Sequence, residues 1–197
     1  MFEKIAENFL QESISAFESY KKLAEKSFAQ ISDEEFFKAI DEEANSIASL
    51  TKHLGGNLRS RWSDFLTTDG EKPDRNRDLE FVTENDTRES LLSFWETGWQ
   101  TLFETFKFLK TEDLNKIITI RGEEFTVVKA INRALAHVAY HIGQIVLLAK
   151  HFRSDEWQTL SIPRNKTVEF NEYLSKPENK EKTHYLDAAQ EFIKHES

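Results

Sequence analysis

The chain has 197 residues, a net charge of −9, no cysteine, and 39% hydrophobic residues that include 16 Phe and 4 Trp. One domain, 1–197, is expected, large enough to bury its core without disulfides or a structural metal. The lack of thiols excludes thiolate zinc sites, disulfide frameworks and cysteine nucleophiles, and the scattered basic residues argue against a nucleic-acid surface.

Only three Pro and six Gly interrupt the chain, so long helices are expected. Phe2, Ile5, Phe9, Ile14, Tyr20, Leu23 and Ala24 recur at helical spacing and predict a first helix from 2 to about 30, already amphipathic and charged at Met1–Asn8 and so unlike a secretory signal. Ser32 and Glu35 form a capping box that starts a second helical segment. The pattern bends near Asp41 and continues through His53, Leu54, Leu58 and Trp62 to Phe65. Gly55-Gly56 inside it costs roughly 1 kcal/mol per residue relative to Ala, which points to close approach of a neighbour or ligand beside His53. Thr67 to Asp78 reads as a polar loop that connects rather than packs.

Leu91, Trp95, Trp99, Phe103 and Phe106 mark a third helix from about Thr87 to Leu109, with its aromatics assigned to the core. Residues 117–120 and 124–126 flank Arg121-Gly122-Glu123 as a short β-hairpin. Thr126 is placed to cap a fourth helix through Ile131, Leu135, Val138 and Ile145 to about His151. A short segment from Val168 to Leu174 and a terminal helix from Tyr185 to Lys194 follow. The expected fold is all-α: an up-and-down four-helix bundle with an additional C-terminal helix and a small hairpin before the fourth long helix. No apolar run approaches the ~20 residues of a membrane span, and a soluble cytoplasmic protein is expected.

Within the fourth helical pattern, His137 and His141 are four residues apart and lie on one face, where both imidazoles can reach one ion. Their alternative is partly buried histidines hydrogen-bonded to neighbours, but the stripe around them is apolar, and unpaired imidazoles there are costly. His53, in the middle of another long helix, is a third candidate. Val138 stands where a zincin motif needs Glu, and Glu181-Lys182-Thr183-His184, the one Glu-x-x-His motif, reads as an exposed charged tail. Three imidazoles with open positions opposite suit one divalent ion, Zn, Ni or Fe(II). Asn57 and Gln144, each about one turn from a histidine, are candidates for binding a water or substrate, and Arg59 and Arg61 for an anionic substrate group.

A lone His on the second long helix and His-x-x-x-His on the fourth resemble the DinB-like superfamily of metalloenzymes, and the block from His53 to Pro73 looks like one uncharacterised branch of it. The resemblance implies a metal triad of His53, His137 and His141 and a homodimer. It also implies a kinship with proteins that use low-molecular-weight thiols. On this basis the chain is expected to be a metal-dependent transferase or hydrolase of a small molecule, with thiol S-transfer as one form. The rival expectation is a non-catalytic metal-binding module that dimerises in a stress response.

Overall fold

The computed structural model describes residues 2–179 and 185–196. It is mostly helical, with one two-stranded antiparallel sheet. The Glu181–His184 motif lies outside the described residues, and nothing is added to its reading.

Helix α1 (Phe2–Phe28) buries Phe17, Ala24 and Phe28. Its buried Ser13 and Ser27 satisfy their hydroxyls on the carbonyls of Phe9 and Leu23 one turn back, so small polar residues reach the core without orphaned donors. Helix α2 (Asp33–Phe37) starts with the expected capping box, in which Ser32 and Glu35 bond reciprocally. The continuous second helix is not found. After Phe37 the backbone is extended at Lys38, the Asp41 carboxylate accepts the amides of Glu43 and Ala44, and Ser46 caps a new helix on the amide of Ser49. These side-chain acceptors compete with the helical ladder and win over the apolar periodicity.

Helix α3 (Ile47–Trp62) is nearly all buried. It ends before Phe65, where Asp64 takes a positive φ of 46°. Helix α4 (Arg88–Phe108) is capped by Thr87, and helix α5 (Val127–Arg153) by Thr126 on the amide of Lys129 at 3.2 Å, as expected. A Cβ on Gly98 would meet the Gly55 carbonyl oxygen, and Thr105 donates to the carbonyl of Trp62. Both pairs are offset by the same number of residues, so α3 and α4 run in the same direction. The up-and-down alternation expected of consecutive helices therefore fails at this step, and residues 63–87 carry the chain back.

That return segment packs. Gly70 donates to the carbonyl of Thr119 at 2.8 Å, and the Asp69 carboxylate accepts the amides of Arg121 and Gly122 at the tip of the hairpin. The hairpin pairs β1 (Ile117–Ile120) with β2 (Glu123–Thr126) in the register Ile117↔Thr126 to Ile120↔Glu123. Its two-residue turn has positive φ at both Arg121 and Gly122, the twist that suits a tight hairpin. Burial alone would raise the Asp69 carboxyl, but the amides of Glu71, Gly122 and Arg121 hold it down at about 2. A loop expected to connect is thus bonded into the structure.

The main core is aromatic: Phe17 meets Trp62, Trp99 and Phe106 edge-on at 6.1, 6.3 and 5.7 Å. Helix α3 packs against α4 and α5, and α1 against α5. A second, smaller apolar cluster joins α6 (Thr167–Ser175) and α7 (Tyr185–Glu196) through Phe170, Tyr173 and Phe192. Among the described residues, no helix is long and apolar enough to cross a membrane.

Candidate metal centre

His53 lies midway along α3, and His137 and His141 lie one turn apart on α5. One ring nitrogen from each comes together, all within 4.8 Å of one another. The Nε2 atoms of His53 and His137 are 3.1 Å apart, close to the ~3.4 Å between two nitrogens on a tetrahedral ion. The rings meet edge-on in every pairing, with centroids 4.7 to 5.2 Å apart. His53 and His141 are buried and His137 half-buried.

The outward nitrogens are committed. His53 Nδ1 donates to Glu80 Oε2 at 2.8 Å, and His141 Nδ1 donates to Gln144 Oε1 at 2.8 Å. Each bond fixes the tautomer with the proton on Nδ1 and leaves the Nε2 lone pair facing inward, the arrangement a metal ligand needs. Glu80 is itself held by two bonds from Arg75, at 2.8 and 2.9 Å. Burial alone would raise the Glu80 carboxyl, but the bonds from His53 and Arg75 hold it below the ordinary glutamate value. It is therefore a charged acceptor at neutral pH.

Burial, and then the like charges that His141 and His53 would carry, depress His137 to about 3. Burial likewise lowers His141, against the bond it donates to Gln144. Both imidazoles are neutral at pH 7, with lone pairs available. The donor set therefore fits a borderline divalent ion. Among the described residues no further His, Asp or Glu joins the cluster.

The cluster opens into a cavity of about 470 Å³ between α3, α5, the return segment and the hairpin. Asn57 and Arg61 line it, one and two turns after His53 on the same face of α3. Arg59 does not: two residues on from Asn57 it is turned away, pairs with Asp74 at 2.9 Å, and stacks on Phe94. Gln144 accepts from His141 through Oε1 and is not on the cavity wall.

Two groups escape a reading of the sequence, Glu80 and its anchor Arg75, because both sit on a non-periodic segment. One trace of them was visible. A Cβ on Gly56 would lie 2.4 Å from Glu80 Oε1, so the glycine pair beside His53 makes room for the residue that orients it. Arg133, four residues before His137 and also on the cavity wall, was open to the same spacing argument that found the pair.

A family model described as Protein of unknown function (DUF1572) matches residues 4–166, a span that holds every residue of the centre. No curated protein matches the chain.

Proposed function

We propose, for a chain that belongs to the DUF1572 family of proteins of unknown function, a metal-dependent enzyme that acts on a small molecule. The ligands are His53, His137 and His141, and the ion is Zn, Ni or Fe(II). The observation that carries this reading is the oriented triad: three imidazole nitrogens converge, and two of the rings are turned by hydrogen bonds on their far sides. Such an ion supplies Lewis-acid chemistry, lowering the pKa of a water or thiol presented to an electrophile.

The chain's own residues define the rest. Glu80 and Gln144 hold two rings in place, the cavity gives a substrate access from one side, and Phe81 covers His53 at 4.9 Å. With no cysteine in the chain, a thiol in such a reaction must arrive as a cosubstrate; no residue stands out as a general base, which weakens the hydrolase form. We further propose DinB-like kinship, with α1, α3, α4 and α5 as the bundle, and a cytoplasmic homodimer.

Metal analysis of untagged protein, followed by mass-spectrometric screening of thiol and electrophile pairs, tests the reading. About one divalent ion per chain and a thiol adduct that forms only with the ion bound are expected. Protein that takes up no ion at equimolar supply would overturn it.

A further inference from the structure

Five arginines, Arg61, Arg75, Arg77, Arg121 and Arg133, line the cavity that holds the histidines, and no Asp or Glu does. This runs against a chain whose net charge is −9. Two carboxylates behind the wall pair with them. Glu71 Oε2 accepts from Arg61, Arg75 and Arg121 at 2.6, 3.2 and 3.2 Å, and Glu80 accepts from Arg75. Among the described residues neither Arg77 nor Arg133 is paired with a carboxylate. Their guanidinium groups rest on the rings of Phe81 and Phe125 at 5.1 and 5.6 Å. Five guanidinium groups thus stand against two carboxylates, and the Asp69 carboxylate on the amides of Arg121 and Gly122 still leaves the positive groups in excess.

The excess reaches inside. Arg61 is only 7% exposed, and its Nε has no hydrogen-bond partner, a buried donor left over although Nη1 donates to the Gly70 carbonyl and to Glu71. Burial, and after it the charges of Arg75 and Arg133, push Arg61 below the usual arginine value in spite of its bond to Glu71. Arg133 stands one turn before His137 on α5, and Arg77 is close enough to act electrostatically on His141. Guanidinium forks match the planar and tetrahedral oxygens of carboxylate and phosphate. A concentration of unpaired guanidinium at the mouth of a low-dielectric cavity also draws anions in.

We propose that the cavity takes a small organic oxyanion, a carboxylate or phosphate compound, whose charged end is held by Arg61, Arg77 and Arg133 while its other end reaches the histidines. The direction in which the molecule lies rests on the metal-centre reading; the charge selection does not.

The test is calorimetric titration of the full chain, stripped with chelator and separately loaded with zinc, using glutarate, inorganic phosphate and the neutral glutaramide. In the stripped protein, glutarate or phosphate binds at least about tenfold more tightly than glutaramide. The stronger of the two anions identifies carboxylate or phosphate as the preferred group. The double variant Arg77→Gln/Arg133→Gln, at two exposed positions, keeps its circular dichroism and loses about tenfold or more in anion affinity. Equal binding of glutaramide, no binding of either anion, an unchanged double variant, or anion binding only in the zinc-loaded protein overturns the proposal. Anion binding that persists in a wild-type protein unable to take up zinc sinks the metal-centre reading and leaves this one standing.

Discussion

Helix α3 is closed on one side and held open on the other. Toward α4, Gly55 and Gly98 bring backbone against backbone: a Cβ on Gly98 would lie 2.6 Å from the carbonyl oxygen and 2.9 Å from the Cα of Gly55. Large rings from Trp62, Trp95 and Trp99 fill the space around that crossing. Toward α5, the same helix presents His53, Asn57 and Arg61 to His137, His141 and Arg133, and a cavity stands between them. Interhelical distance follows the side chains at the crossing. Glycine and flat rings make a seam; long polar side chains of like charge make a gap.

The largest expected effect is on the open side. His137→Ala removes one of three ligands, and metal affinity falls on the order of 10³-fold, a share of the total binding energy of a site of this kind. The helical circular dichroism is retained, because the core rings of Phe17, Trp95, Trp99 and Phe106 pack on one another outside the cavity. Metal content and circular dichroism measured together check this, and loss of the helical signal would mean that the two sides are not independent.

Gly98→Ala attacks the closed side. The added Cβ meets backbone that cannot rotate away, so a loss of about 3 kcal/mol in urea unfolding is expected, with stoichiometric metal binding kept in the folded fraction. A stability change near zero would mean that the seam is looser than its distances.

Glu80→Gln sharpens the comparison from the metal side. The amide keeps the shape and part of the bond to His53 but loses the charge that pairs with Arg75, so metal affinity falls about 10- to 100-fold while the ligands stay in place. Competition with a chromophoric chelator measures it, and wild-type affinity would show that Glu80 serves only Arg75.

The smallest effect uses a third glycine. Gly143 on α5 is exposed, and nothing lies within 4 Å of a Cβ placed there. Gly143→Ala is expected to stabilise by about 0.5 to 1 kcal/mol through helix propensity and the unfolded chain. Thermal unfolding reads it, and destabilisation would expose a neighbour or partner on that face.

The parts legible in the sequence are the periodic ones. Spacing on α5 places His137 and His141 together, spacing on α3 puts Asn57 beside His53, and the Ser32 and Thr126 caps stand where expected. Charge alone does not separate Arg59 from Arg61, but the helical period does: Arg61 falls on the His53 face and Arg59 off it. What escaped was set by side-chain-to-backbone bonds with no period: the Asp41 turn and Ser46 cap that split the second helix, and the packed return segment that delivers Glu80 and Arg75. The parallel run of α3 and α4 escaped for the same reason, since it depends on how far that segment travels.

One oxygen gathers three parts of the chain. Glu71 Oε2 accepts from Arg61 on α3, Arg75 on the return segment and Arg121 at the hairpin tip. It works as a keystone. Arg121 is the exposed member of the three, yet the hairpin tip does not hang on that contact alone: the Asp69 carboxylate accepts the amides of Arg121 and Gly122, and Gly70 donates to the carbonyl of Thr119. Helix, return segment and hairpin thus meet at two neighbouring carboxylates, and the arginine wall of the cavity is pinned from three directions.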